Sequence, residues 1–210
     1  MKPLPELQVT VYSDYICPFC YVGHHRLQRL RDEYDLKINW CFLEIHPETS
    51  ANGEPIDSLE YPSEQWQKML ENLERIAQEE NIPLSKLNFI TNSKDALVLS
   101  EAAKQCGREV FYDLHERLFN AYFVDGENIG DRNVLKKIAS ASGMGDKTID
   151  SSWTDETVKK RLLNNFNSAR AHNIQSVPSF IFGERVLTGV VAESTFRDAA
   201  EQLSRACKNH

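Results

Sequence analysis

Two cysteines near the start of the chain, Cys17 and Cys20, are separated by Pro18 and Phe19. On a helix this spacing places the two thiols about one turn apart, close enough to form a disulfide. Pro18 favours a helix that begins here, because its fixed φ suits the first helical position and its missing N–H is not needed there. The free N–H groups and the partial positive charge of a helix start stabilise a thiolate. We therefore expect Cys17 to attack in a thiol-disulfide exchange and Cys20 to be the resolving thiol.

The same pair has two other interpretations. It could belong to a zinc site, with His24 one helical turn beyond Cys20 as a further ligand, but no second Cys-x-x-Cys or Cys-x-x-His pair follows at the spacing of a zinc knuckle. The two thiols could also be structural residues that share this spacing by chance. A Cys-x-x-Cys at a junction from strand to helix is most typical of a redox motif.

The residues on both sides of the pair predict a strand–helix–strand unit. Leu7, Val9 and Val11 alternate with Gln8 and Thr10, which is the period of a strand. A helix follows, and then a second strand over about 37–45 that is apolar almost throughout. Such a run is typical of a strand buried on both faces of a parallel sheet.

The middle of the chain predicts helices. Residues 46–62 are polar and rich in turn residues, and most of 63–174 has apolar residues at helical spacing. In the last helix of this block we expect four residues to face inward. They are Val158, Leu162, Phe166 and Ala169.

The end of the chain forms strands again. Two short apolar runs around Gly183 predict a hairpin, and a helix closes the chain. We therefore predict an α/β fold, in the order βαβ, helices, ββα, in which the strands of both ends form one sheet. Residues 1–60 and 173–210 would build this unit, and 61–172 would be an inserted all-helical domain.

Composition and charge exclude several classes of protein. The chain has 210 residues and a formal net charge of −7, and this acidic balance argues against a nucleic-acid-binding protein, which needs a basic surface. It has no run of about 20 apolar residues and no apolar segment at its start, so we expect no membrane span and a cytoplasmic location. Five cysteines, an odd and scattered number, do not form a secreted disulfide framework. We expect Cys41, Cys106 and Cys207 to serve packing, with a second redox thiol at Cys207 as an alternative.

Three segments carry a resemblance to a known family. They are the active-site run 13–23, the sequence Ala121-Tyr122-Phe123 with Asn128, Ile129 and Asp131, and the run 176–180. Together they resemble the DsbA-like oxidoreductases of the thioredoxin fold, and within these the FrnE-type branch. The resemblance covers nearly the whole chain and implies a thioredoxin-like fold with the helical domain inserted.

The resemblance also implies roles for individual residues. Cys17 matches the nucleophile of the family and Cys20 its resolving partner, and Pro18 and Phe19 match the dipeptide that tunes the reduction potential. Val177-Pro178 matches the cis-proline loop that faces the cysteines, where the backbone of Val177 would pair with an extended substrate. Strongly oxidising members often carry histidine where this chain has Phe19, so strong oxidant behaviour is not expected.

Two further residues near the pair are candidates for tuning it. Asp14 could accept a proton from the thiols, or it could end the strand and accept backbone N–H bonds. His24 could tune Cys17, although a partly exposed helix position is the simpler interpretation.

The sequence thus predicts a thiol-disulfide oxidoreductase that forms a mixed disulfide with protein, peptide or small thiol substrates. It needs no metal and no organic cofactor, although glutathione could be a co-substrate. One alternative is a kappa-type glutathione transferase or 2-hydroxychromene-2-carboxylate isomerase, classes related to this family that rely on a single thiol-activating position. Another is a non-catalytic binding or chaperone module.

Overall fold

The computed structural model describes the backbone of residues 3–58, 63–86 and 88–208, and their side chains except those at 63, 65, 66 and 206–208. Within these ranges the α/β order predicted from the sequence is confirmed: a strand–helix–strand unit, a block of helices, then a hairpin and a closing helix. The side chain of Cys207 lies outside the described part, so its role stays a prediction.

One four-stranded sheet contains strands from both ends of the chain. From one edge to the other its strands are β2 (Asp35–Phe42), β1 (Glu6–Ser13), β5 (Ser179–Phe182) and β6 (Arg185–Thr188). The pair β1/β2 is parallel, as predicted, and β1/β5 and β5/β6 are antiparallel. Because β1 pairs with β5, the segment that follows β1 and carries the cysteines lies next to the segment that precedes β5 and carries Val177 and Pro178.

Helix α1 (Pro18–Gln28) begins shortly after β1 and packs closely on the sheet. A short 3₁₀ turn, Arg29–Asp32, continues it towards β2. The close approach depends on Gly23, because a Cβ atom at this position would lie 2.7 Å from Cζ of Phe180. Phe180 is fully buried on β5, so its ring has little room to move away.

In the described residues between β2 and β5, six α-helices form the inserted lobe. They are α2 (Ser63–Glu79), α3 (Lys94–Ala103), α4 (Arg108–Phe123), α5 (Arg132–Ala141), α6 (Asp146–Ser152) and α7 (Glu156–Ala171). The lobe also includes a two-residue strand pair that the sequence did not predict, β3 (Glu54–Pro55) with β4 (Phe89–Ile90). The short helix α6 was not predicted either. Helix α8 (Glu193–Lys208) closes the chain.

The lobe is tied to the sheet unit by charged and apolar contacts. Arg26 of α1 is buried, and its guanidinium binds the Glu80 carboxylate at the end of α2 and the carbonyl of Val191 before α8. Arg29 binds Glu80 and Glu193. One cluster of buried side chains includes residues of both parts, so the proposed limits of the insertion, 61–172, stay a prediction.

Candidate functional site

Cys17 is the N-cap residue of α1, with an extended backbone (φ −85°, ψ 112°), and Pro18 follows at the helix start, as predicted from the sequence. The Cys17 carbonyl accepts hydrogen bonds from the N–H groups of Cys20 and Tyr21, at 3.0 and 3.2 Å. Its thiol does not cap the helix. Instead, Sγ lies 3.9 Å from the carbonyl oxygen of Val177.

Cys20 lies behind Cys17 and away from solvent. The two residues are 2% and 5% exposed, and both are free thiols. Burial raises the pKa of Cys20 well above its ordinary value, and the hydrogen bond and charge of the neighbouring Cys17 thiol raise it further. Cys20 therefore stays protonated at neutral pH, and only Cys17 of the two borders a groove that opens to the surface.

The loop before β5 faces the cysteines. The Val177–Pro178 peptide bond is cis. Ser179 holds the loop, because its hydroxyl donates a hydrogen bond of 2.8 Å to the carbonyl of Ser176. The structure thus brings together Cys17, Cys20, Val177 and Pro178, which the sequence singled out at two ends of the chain.

Asp14 is completely buried at the end of β1, three residues before Cys17. One carboxylate oxygen accepts bonds of 2.9 Å from both the Ile45 N–H and the Ser93 hydroxyl, and the other accepts from the Ile16 N–H at 3.3 Å. Burial raises its pKa to about 6, and these hydrogen bonds oppose the rise. The contacts favour a carboxylate that anchors the loop before Cys17.

His24 points away from the cysteine pair. Its Nε2 lies 2.8 Å from the Glu116 carboxylate, and its Nδ1 lies 3.3 Å from Nε2 of His115. It is 3% exposed, so the expectation of a partly exposed residue is wrong. Beyond His115 the hydrogen bonds continue to the hydroxyl groups of Tyr15 and Ser100, at 2.8 and 2.9 Å. Since both ring nitrogens are engaged, His24 is not oriented to complete a zinc site.

A groove of about 540 Å³ opens beside Cys17. On the sheet side its wall is formed by Pro18 and Phe19 of α1, by Leu43 and Ile45 after β2, and by the loop at Val177. Apolar side chains dominate this wall, as is usual for ligand grooves.

The opposite wall comes from the lobe. Met69, Ile90 and Tyr122 line it, and α7 adds Phe166 and Arg170. Phe166 is 39% exposed, so the expectation that it faces inward is wrong. Helical spacing identified the face but not its surroundings, because Val158, Leu162 and Ala169 are buried whereas Phe166 borders the groove. Sequence reasoning missed both α7 residues as part of the site.

The remaining described cysteines lie away from the groove. Burial raises the pKa of Cys41 on β2 to about 11, and Cys106 donates a weak bond of 3.8 Å to the carbonyl of Ala102. In the described ranges no three His, Cys, Asp or Glu side chains are arranged to hold a metal ion. Among the helices that the structure describes, none has the length and apolar composition needed to cross a bilayer.

The sequence is similar to one family model and to a bacterial protein. The model, described as the DSBA-like thioredoxin domain, matches residues 8–201. The uncharacterized protein YwbO of Bacillus subtilis is 28% identical over 199 residues, which cover 92% of this chain and 95% of that protein.

The fold is similar to that of several solved structures. A protein of Streptomyces coelicolor described as a "probable DsbA oxidoreductase" has a TM-score of 0.82 at 19% identity, over 94% of this chain and 90% of that one. A 2-hydroxychromene-2-carboxylate isomerase has a TM-score of 0.73 at 18% identity, over 97% of each chain. The cytosolic disulfide reductase DsbM of Pseudomonas aeruginosa, solved with GSH, has a TM-score of 0.65 at 15% identity, over 97% and 98%. At these identities the similarities establish the fold alone, and the predicted thioredoxin-like fold is confirmed.

Proposed function

The chain belongs to the DSBA-like thioredoxin-domain family, and on this basis we propose that it is a thiol-disulfide oxidoreductase acting on disulfide- or thiol-containing proteins and peptides. The observation that carries the proposal is the placement of Cys17. Its thiol stands at a helix start, borders the groove, and lies 3.9 Å from the carbonyl of Val177, with Cys20 buried behind it. A substrate sulfur can therefore reach Cys17 and not Cys20.

The reaction has two steps. The Cys17 thiolate attacks one sulfur of a substrate disulfide, the substrate S–S bond breaks, and the other substrate sulfur leaves and takes up a proton. Cys20 then loses its proton and attacks the Cys17 sulfur, which breaks the mixed disulfide and releases the second substrate sulfur as a thiol. Two electrons have then passed from the cysteine pair to the substrate, and of the two protons on the product thiols one comes from Cys20 and one from the solvent that had taken up the Cys17 proton. The reverse sequence oxidises a substrate dithiol.

The environment of Cys20 orders these two steps. Because burial raises the pKa of Cys20, its thiol does not compete with Cys17 for the substrate. It reacts only when the Cys17 sulfur beside it has become part of a disulfide. Cys20 is thus the resolving residue in this proposal.

Other residues of the site position the reacting groups. Asp14 fixes the loop before Cys17 through its three hydrogen bonds. Phe19 and Pro18 shape the groove beside the thiol. An extended substrate would pair with the backbone of Val177, next to the sulfur that Cys17 attacks. His24 is outside the site.

We further propose that the protein reduces disulfides in the cytoplasm, with glutathione as the thiol that restores the cysteine pair. The support is the fold shared with a cytosolic disulfide reductase solved with GSH. In a reducing compartment the pair is held as the dithiol, which is the form that reduces substrates. In this proposal the reaction uses no metal or organic cofactor.

The test is a Cys20→Ser variant, which should trap mixed disulfides with client proteins because the resolving thiol is missing. The trapped species should disappear when Cys17 is also replaced by serine, and they should persist when Cys106 instead is replaced by serine in the Cys20→Ser background. The reduction potential of the pair, measured against glutathione buffers, then gives the favoured direction. Full disulfide-reductase activity in Cys17→Ser would refute the proposal.

A second candidate function is that of a kappa-type glutathione transferase or 2-hydroxychromene-2-carboxylate isomerase. The observation that favours it is that the groove opens at Cys17 alone, so chemistry that needs one thiol-activating position is geometrically accessible. Glutathione conjugation or isomerase activity that survives Cys20→Ser would support this candidate, whereas the oxidoreductase needs both thiols. Client binding that is unaffected by loss of Cys17 would instead indicate a non-catalytic module.

A further inference from the structure

Helix α7 presents an apolar and cationic strip next to the active site. Leu163 is 59% exposed and Phe166 is 39% exposed, which is unusual for large apolar side chains in the described part of the chain. The two residues lie on one side of the helix because they are three positions apart, and Arg170 follows one turn after Phe166. Phe166 and Arg170 border the same groove as Cys17.

Arg170 differs from Glu44 and His46 of the same groove. Within the described residues its guanidinium makes no ion pair and no hydrogen bond. The Glu44 carboxylate accepts a hydrogen bond of 2.9 Å from the Asn92 amide, and His46 lies 3.2 Å from the Glu48 carboxylate. Arg170 thus offers a planar set of N–H donors that matches a carboxylate.

The position of Arg170 has a structural explanation as well. It stands in the last turn of α7, where a cation interacts favourably with the helix dipole. That effect needs only a positive charge near the helix end and does not account for an exposed phenyl ring one turn earlier. The ring, the guanidinium and the reactive thiol border one groove, and this combination fits a ligand better than it fits helix stability.

The spacing along the helix suits an extended peptide. Residues four apart on a helix are separated by about 6 Å along its axis. Alternate residues of an extended chain are separated by about 6.6 Å. A peptide that runs along α7 can therefore place an apolar side chain on Phe166 and an acidic one on Arg170, with one residue between them.

We propose that Phe166 and Arg170 determine substrate specificity, and that they select peptide segments in which an apolar residue and an acidic residue, two positions apart, lie close to the reacting cysteine. This inference rests on the proposed oxidoreductase function and names its substrate class. The carboxylate binds the Arg170 guanidinium, and the apolar residue covers the Phe166 ring.

The test uses the reduced full-length chain in excess over short peptides with one intrachain disulfide. The peptides carry a Leu-Ser-Glu or a Leu-Ser-Lys tail, on either side of the disulfide, and the peptide dithiol is quantified after an acid quench. Because an exposed ion pair is worth up to about 1 kcal/mol, we expect the glutamate peptide to react about fivefold faster than the lysine peptide. High salt should reduce the difference.

Substitutions on α7 show which side chains cause the preference for the glutamate peptide. Arg170→Gln should remove the preference and Arg170→Glu should reverse it. Lys160→Gln, which removes an exposed cation of the same helix outside the groove, should preserve it. In the wild type, peptides with leucine in the tail should react faster than peptides with glycine in its place. Phe166→Ala should reduce this advantage for both the glutamate and the lysine peptide.

The outcomes separate this inference from the proposed function. Equal rates for the glutamate and lysine peptides in the wild type would overturn the inference, and so would a preference that survives Arg170→Glu. If Arg170→Glu slowed only the reduction of glutathione disulfide, the strip would bind glutathione and the peptide assignment would fail. In each of these cases a rate that is lost in Cys17→Ser would leave the oxidoreductase function standing.

Discussion

The buried carboxyl group of Asp14 should make the stability of the protein depend on pH in an identifiable way. Burial raises its pKa from 3.8 to about 6. Between these pH values the folded chain keeps a proton that the unfolded chain has released, so the contribution to stability is fully present below about pH 4 and is lost as the pH rises through 6. A pKa rise of this size corresponds to about 3 kcal/mol, at about 1.4 kcal/mol per pKa unit.

The perturbation is Asp14→Asn, which cannot ionise. Its amide oxygen can replace the carboxylate oxygen that accepts from Ile45 and Ser93, but the amide group then faces the N–H of Ile16 and loses the longest of the three bonds. That loss is the same at every pH. We therefore expect the free energy of unfolding of the variant, relative to the wild type, to rise by about 3 kcal/mol between pH 3.5 and pH 7.

The assay is urea unfolding of both proteins at several pH values, with the thiols kept reduced. Groups elsewhere in the chain titrate in both proteins, so they cancel in the difference. A Ser93→Ala variant supplies an independent check, because the Ser93 hydroxyl lowers the pKa of Asp14 and its loss should move the transition to higher pH. A difference that stays flat across this range would refute the argument.

Three further predictions, one of them with a control substitution, test the site and its support. Arg26→Ala should lower the free energy of unfolding by about 1–3 kcal/mol, because the Val191 carbonyl loses its donor and the Glu80 carboxylate, just after α2, keeps Arg29 alone of its two arginine partners. Arg75→Ala, in an exposed pair, should change it by less than about 1 kcal/mol in the same urea titration. Gly23→Ala should cost about 1–3 kcal/mol in thermal unfolding, because the new methyl group overlaps the buried Phe180 ring; an unchanged melting temperature would contradict the close contact. Phe19→His should raise the reduction potential, since a cation beside the groove stabilises the thiolate form, and an unchanged equilibrium with glutathione would contradict this.

Local chemistry made the first part of the site predictable from the sequence. The alternation of Leu7, Val9 and Val11 identified the strand, and the Cys17-Pro18 dipeptide identified the helix start, because both signals depend only on neighbouring residues. A local interaction also begins α5, because the carboxylate of its N-cap residue Asp131 accepts a bond of 2.8 Å from the N–H of Asn133.

The other half of the groove could not be predicted, because it depends on how distant elements meet. The lobe brings Met69 and Tyr122 to the groove beside Cys17 through contacts far apart in the sequence. For the same reason Phe166 was misplaced: a helical period shows which residues share a face but not which part of that face another element covers. The burial of His24 depends on α4, about ninety residues away.

The hydrogen bonds that link Ser100, Tyr15, His115, His24 and Glu116 have a consequence for how the two parts of the protein recognise each other. Ser100 donates to Tyr15, so the single Tyr15 proton goes to Nδ1 of His115. With both imidazoles neutral, His115 donates through Nε2 to Nδ1 of His24, and His24 donates through Nε2 to the Glu116 carboxylate. In this arrangement each histidine adopts one tautomer. The residues of this hydrogen-bond series come alternately from helices α3 and α4 and from α1 or the loop before it. A lobe packed one helical turn out of position would therefore leave buried donors facing each other. The direction of these hydrogen bonds, in addition to the shape of the two surfaces, thus favours one position of the lobe on the sheet unit.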